Sequence, residues 1–242
     1  MLDQTSLKSH ARVLISGGVV SPLLVSAVVF LISELLNTVS FMVEYDTSIL
    51  QEMKRAWELG NAYTLPEPPA EPSFIATFVP VLILLLMPLI QAGYKSYCMG
   101  IYRGERTGFS ALLDGLGIAG KVIWCDIQMS ARIMLWSMLF VLPGIIALYR
   151  YRFAVYNLLS DPSLSASEAI ALSCRQTEGM KMELFFLDLS FLGWHVLSML
   201  TFGLLDVWLM PYLTFTELGC YDIAVQNVPV PPKAPGSDDS VF

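Results

Sequence analysis

The stretch LPGIIALYRYRFAVYNLLSDP, residues 142–162, decides how this chain folds. It follows the apolar run IMLWSMLFVL at 133–142, opens on Pro143-Gly144, carries Arg150 and Arg152 among aromatic residues, and stops at Asp161-Pro162. Proline removes a backbone donor and clashes with the preceding turn, and glycine weakens a helix interior, so the pair ends one helix and starts another. We therefore expect a turn at Pro143-Gly144 between two membrane helices, the second over 145–160. That helix is shorter than the roughly 20 residues a crossing needs. It reads as a short tilted span, giving six crossings, or as a re-entrant limb, giving five; six is the simpler topology.

Composition supports a membrane setting for the whole chain. Of its 242 residues, 55% are hydrophobic and 14% are charged, against about 25% charged in soluble domains. The expected fold is all-α: a polytopic transmembrane helical bundle with kinked helices, spans over 13–43, 74–97, 116–142, 145–160, 184–202 and 204–225, and a cytoplasmic surface helix over 166–178. Pro22, Pro80, Pro88 and Pro211 fall inside the expected spans and predict kinks. Residues 1–226 form one domain, and the Pro-, Gly- and Ser-rich tail 227–242 reads as disordered.

Residues 44–73 begin as an amphipathic helix, with Ile49, Met53, Ala56 and Trp57 on one face, and end in an extended proline-rich run from 66 to 72. Tyr94, Tyr97 and Tyr102 suggest an interfacial aromatic belt at the end of the second span. With the N-terminus inside, Lys8, Arg12, Lys95, Arg103, Arg106, Lys121, Arg175 and Lys181 lie on the cytoplasmic side and only Lys54 and Arg55 outside. That is the bias expected of inner loops, and it places both termini of a cell-membrane protein in the cytoplasm.

The surface helix announces itself by Ser165 and Glu168 in capping-box spacing, with Gly179 suited to the turn that follows it. Arg175 and Lys181 complete a polar cytoplasmic interaction surface. Composition also excludes several functions. The net charge of −7 is spread over loops and there is no basic stripe, so nucleic acid is not a partner. Cys98, Cys125, Cys174 and Cys220 lack paired spacing, and only His10 and His195 are present, so neither a metal nor a cofactor is expected. Gly17-Gly18, Gly100 and Gly193 lack phosphate-loop spacing and read as helix-packing positions.

The elements WSMLF (136–140), PGII (143–146), Asp161-Pro162, SASEAI (165–170), GMK (179–181), LDLSFLGW (187–194) and Pro211-Tyr212 stand in an order that resembles the bacterial integral membrane family DUF975, a domain of unknown function. The resemblance is specific over 135–212 and weak over the first two spans. Two departures stand out. The family's D-x-P is here Asp161-Pro162 without a middle residue, and CRQTEG replaces a basic stretch, so a cytoplasmic surface of relatives can differ here. The resemblance implies the membrane fold and a bacterial origin, and no activity.

The chemistry-bearing candidates are Arg150, Arg152, Asp188, His195 and Asp206. Either arginine can snorkel to the outer headgroups, or pair with Asp188 or Asp206 inside the bundle, where a charge is costly and marks a function. Asp188 and His195, seven residues apart on one face, suit a proton relay; the plainer reading has Asp188 meeting Lys181 or water. No activated serine or cysteine accompanies them, so catalysis is not expected. The sequence thus points to a non-enzymatic membrane scaffold or partner-binding protein. Its partners are the bilayer and a membrane or cytoplasmic protein. The alternative is a transporter or export/immunity factor for a small amphipathic solute, lipid or peptide.

Overall fold

Helices make up all the regular structure among the described residues of the computed structural model, which are 3–15, 21–44, 57 and 74–230. The chain forms two compact units: residues 1–29 with 88–242, and residues 30–87. The amphipathic helix expected after residue 44, apart from Trp57, and the proline-rich run 66–72 lie outside the described residues.

The first expected span is two elements. Helix α1, Gln4–Ile15, starts where the Asp3 carboxylate accepts the amides of Thr5 and Ser6 at 3.1 and 3.3 Å, satisfying amides that a helix start leaves free. Helix α2, Pro22–Glu44, begins at the proline expected to kink it. At a helix start proline's missing N–H costs nothing. Helix α3, Phe74–Tyr102, runs past the expected end at 97. Its last turns enter the core, so Tyr94 and Tyr97 are buried and do not form the expected interfacial belt.

The third region starts with a 3-10 segment, Phe109–Ile118, and continues as α4, Ala119–Leu139. The chain then reverses at Phe140, whose backbone is extended (φ −158°, ψ 150°). Pro143 and Gly144 therefore do not form the turn: they sit in the first turn of α5, Val141–Tyr151. Gly144 lets α5 close onto α4, since a Cβ there would lie 2.1 Å from Ser137 Oγ and 3.0 Å from Ser137 Cα. The expected helix 145–160 is α5 followed by α6, Ala154–Ser160, broken at Arg152-Phe153.

Helix α7, Ala166–Gln176, carries the expected capping box: Ser165 Oγ accepts the Glu168 amide at 3.3 Å, and the Glu168 carboxylate accepts the Ser165 amide at 2.8 Å. It lies at the surface of the protein, with Ser167, Glu168 and Arg175 exposed, and its other face is docked. Ala166, Ala169, Ile170, Leu172, Ser173 and Gln176 are buried against α4, α5 and α6. Small residues allow the close approach, and buried Asn157 fixes it, donating to Gln176 Oε1 (2.9 Å) and the Ala169 carbonyl (3.3 Å) while accepting from the Tyr221 hydroxyl (3.1 Å). Residues 228–230 of the expected tail are held here too, with Gln176 Nε2 donating to the Val228 carbonyl at 3.3 Å. Residues 231–242 lie outside the described part.

Helix α8, Lys181–Leu200, turns at 201–205 into α9, Asp206–Asn227. Gly203 adopts φ +82° in that turn, a left-handed conformation that suits glycine. Helix α9 carries apolar and small residues on all sides, from Leu209 and Tyr212 to Phe215, Cys220 and Ala224, and is the buried centre of its unit. Helix α1 packs along it, Leu7 closing over Gly219. Pro211 cannot donate to the Val207 carbonyl four residues back; Ser26 Oγ of α2 donates to that carbonyl instead, at 2.6 Å.

Among the described residues, three helices are long and apolar enough to cross a membrane: Pro22–Val43, Thr77–Tyr102 and Lys181–Leu200. The charges on α4 (Lys121, Asp126, Arg132) and α9 (Asp206, Glu217, Asp222) set those two apart.

Close packing at glycine makes a contrast testable. Gly144→Ala, and Gly93→Ala, whose Cβ would meet the Leu112 carbonyl oxygen at 2.1 Å, should each cost about 1–3 kcal/mol by overpacking. Gly193→Ala, with open space around it, should shift stability by less than about 1 kcal/mol. Thermal unfolding in detergent compares them, and equal effects at all three sites would refute the packing account.

Candidate functional site

The break between α5 and α6 builds the site. At the break, two backbone groups of the limb are bonded from α7. Ser173 Oγ of α7 donates to the Arg150 carbonyl at 2.8 Å and accepts the Phe153 amide at 3.1 Å, and Thr177 Oγ1 adds a longer contact to the same carbonyl at 3.5 Å. A hydroxyl can serve both groups because it donates and accepts. This splice turns Arg152 toward α8 and α9.

Arg152 is gripped by two acids. Its Nη1 and Nη2 donate to the Asp188 carboxylate at 2.7 and 3.0 Å, and its Nε donates to Glu217 Oε1 at 2.8 Å. Two tyrosines of the same limb complete the network: the Tyr149 hydroxyl donates to Asp188 Oδ2 at 3.0 Å and the Tyr156 hydroxyl to Glu217 Oε2 at 2.7 Å. Lys95 of α3 lies over the Tyr156 ring, 4.6 Å from its centroid. Fork-like pairing of guanidinium and carboxylate is the strong form of this interaction. Side-chain exposure ranks the two bridges: Arg152 and Glu217 are 21% and 17% exposed, Asp188 39%. Water therefore weakens the Asp188 pair more, although it has two hydrogen bonds.

The network forms one wall of an open cleft of about 530 Å³. Tyr149, Arg152, Asp188, Glu217, Thr214 and His195 supply its polar lining; Phe185, Leu189, Phe191, Leu192 and Leu213 supply the apolar remainder. Such a cleft accepts a molecule with a polar head and an apolar body.

Of the residues singled out in the sequence, Arg152, Asp188 and His195 meet at this cleft. Arg150 contributes its carbonyl to the splice. Asp206 belongs elsewhere: it starts α9 and accepts from Ser198 Oγ at 2.6 Å, so neither arginine pairs with it. Ser165 and Glu168 cap α7, Arg175 is exposed in its last turn, and Lys181 begins α8. Glu217, Tyr149 and Tyr156 escaped the sequence reading, which counted Lys95 only among the cytoplasmic charges. Their signal was present: Tyr149, Arg152 and Tyr156 stand three and four residues apart, a one-face spacing, and Glu217 is an acid inside the last apolar block.

Removing the cation leaves two carboxylates facing each other. Arg152→Met should cost about 3 kcal/mol, the lower end for a broken buried pair, and Asp188→Asn, more exposed, about 1 kcal/mol; denaturant unfolding in detergent measures both. An Asp188→Asn penalty equal to that of Arg152→Met would contradict the ranking by exposure. Ser173→Ala should cost about 1–3 kcal/mol by orphaning the two backbone groups of the break.

Outside the cleft, the capping-box carboxyl of Glu168 is held below the usual glutamate range, chiefly by the Ser165 amide. A lowered folded-state value contributes stability above the unfolded value, lost as pH falls through the folded one. Amide exchange at the start of α7 should therefore accelerate in acid, and Glu168→Gln should remove that pH dependence.

Residues 139–227 match the model of a family described as a protein of unknown function, DUF975. The matched segment holds the splice and every member of the charged network except Lys95. No curated protein and no solved structure matches the chain.

Proposed function

With residues 139–227 placed in DUF975, a family of unknown function, we propose that this chain is a multi-pass membrane protein that binds, and passes across or along the bilayer, a small amphipathic molecule held in the cleft beside Arg152. One observation carries the reading: a partly buried ion-pair network lines an open and otherwise apolar cleft. Charge within a membrane bundle is costly and is kept where it serves a pathway or a ligand. Broken helices at such a site are a transporter's usual construction. The scaffold reading rests on the capped polar helix α7, whose outer face stays exposed with Glu168 and Arg175; the cleft beside Arg152 favours the binding reading.

The membrane arrangement belongs to the same proposal. Both the α4–α5 reversal and the α8–α9 turn expose only apolar side chains at their tips: Met138, Leu139, Phe140, Val141 and Leu142 in one, Met199, Leu200, Phe202 and Leu204 in the other. The α5–α6 limb runs parallel to α9, Arg152 meeting Glu217 and Ser160 meeting Tyr221, and α8 runs antiparallel to α9, Phe191 meeting Tyr212 and Trp194 meeting Trp208, so the two tips share one end. Lys121, Arg175 and Lys181 lie toward the opposite end, at the start of α4, the end of α7 and the start of α8. Positive charge marks the cytoplasmic side, so both termini are cytoplasmic in a bacterial cell membrane. Six crossings follow, α5 and α6 together forming the fourth. The limb 141–160 extends about 30 Å at about 1.5 Å per residue, enough for the hydrocarbon core.

Lipid and amphiphile analysis of the protein purified from membranes tests the binding reading. Wild type should retain a saturable amphiphile that Leu192→Trp, which fills the cleft from an exposed position, loses. Equal retention by both proteins would refute it. Reporter fusions at both ends test the topology, and an external C-terminus would overturn the six-crossing arrangement.

A further inference from the structure

The charge of the cleft wall identifies the class of head that it takes. One guanidinium, Arg152, faces two carboxylates, Asp188 and Glu217, leaving one negative charge in excess among these three side chains. Lys95, the neighbouring cation, sits over the Tyr156 ring on the Glu217 side of the network and offsets that acid without entering the lining. The excess is not evenly shared. Glu217 is the less exposed acid, and its two oxygens accept from Arg152 and Tyr156. Asp188 is the more exposed one. Its Oδ2 accepts two hydrogen bonds, from Arg152 and Tyr149, whereas its Oδ1 accepts only the one from Arg152 Nη2, and a carboxylate oxygen has room for a second.

The surroundings of that oxygen suit a cation. Tyr149 and Phe185 pack edge to face, 6.3 Å between centroids, beside it, and aromatic faces attract ammonium groups as carboxylates do. Beyond them the lining turns apolar through Leu189, Leu192 and Leu213. An anionic head would meet Arg152, but that guanidinium is already engaged through Nε, Nη1 and Nη2, with two carboxylates beside it.

We propose that the cleft is selective for amphiphiles with a primary ammonium head, seated on Asp188 Oδ1 with the chain along the apolar lining. This rests on the cleft being an amphiphile site, the reading given above, and adds the chemistry of the head.

The test uses the full-length protein in neutral nanodiscs and two probes of equal chain length, dodecylammonium and dodecanoate, followed by saturable quenching of tryptophan fluorescence. Trp194 adjoins cleft residue His195 and packs on Trp208 at 5.5 Å. Dodecylammonium should bind at least about tenfold more tightly than dodecanoate, a difference of about 1.4 kcal/mol. Asp188→Asn should bring the two affinities together, and Leu192→Trp, which leaves the network untouched, should abolish saturable binding of both. Equal affinities in wild type, or a preference for dodecanoate, overturn the ammonium assignment while leaving the amphiphile site standing. A preference that survives Leu192→Trp places recognition elsewhere and also overturns it. Saturable binding of neither probe removes the amphiphile site along with the assignment.

Discussion

A helix broken in an apolar setting must have its freed backbone groups satisfied by neighbours, and the fold around the cleft depends on how that is done. At Arg152-Phe153 the repair comes from Ser173; at Pro211 it comes from Ser26. Water cannot serve these positions within a bundle, so each break requires a particular hydroxyl on a neighbouring helix. The first repair commits α7 to the body of the protein and turns Arg152 toward α8 and α9. The second brings the start of α2 against the start of α9.

Once Arg152 points inward, the rest of the site follows from charge balance. A lone guanidinium there would be prohibitively costly, and the two acids come from different helices, so the ion pairs also join α5 and α6 to α8 and α9. Tyr149 and Tyr156 occupy remaining lone pairs of the acids. The site is therefore an inter-helix joint as well as a cleft wall, and for that reason its variants are to be read by stability and by ligand preference together.

Partial exposure separates the two roles. The Glu217 side of the network is closed and structural; the Asp188 side faces the cleft with an oxygen that has spare capacity. A fully sealed network would have offered nothing to a ligand, and a fully open one would have been weakened by water.

The sequence by itself determined the helical class, the apolar helices and the capping box at Ser165 and Glu168, and it offered Arg152 with Asp188 as one pairing among several. These are readable because they rest on local spacing and on the cost of burying charge. It misplaced the reversal, which lies at Phe140 and not at Pro143-Gly144, because proline is accommodated in a first helical turn as readily as it ends a helix. It placed α7 at a surface, and Ser167, Glu168 and Arg175 are exposed there; what it did not show is the docking of the other face, because small residues such as Ala169 and Ser173 carry no local mark of the helix they pack against. Only the tertiary structure decided that Glu217, and not Asp206, answers Arg152. Both acids lie in the same apolar block, and their distance from an arginine more than fifty residues earlier is set by how the helices pack, for which no local pattern exists.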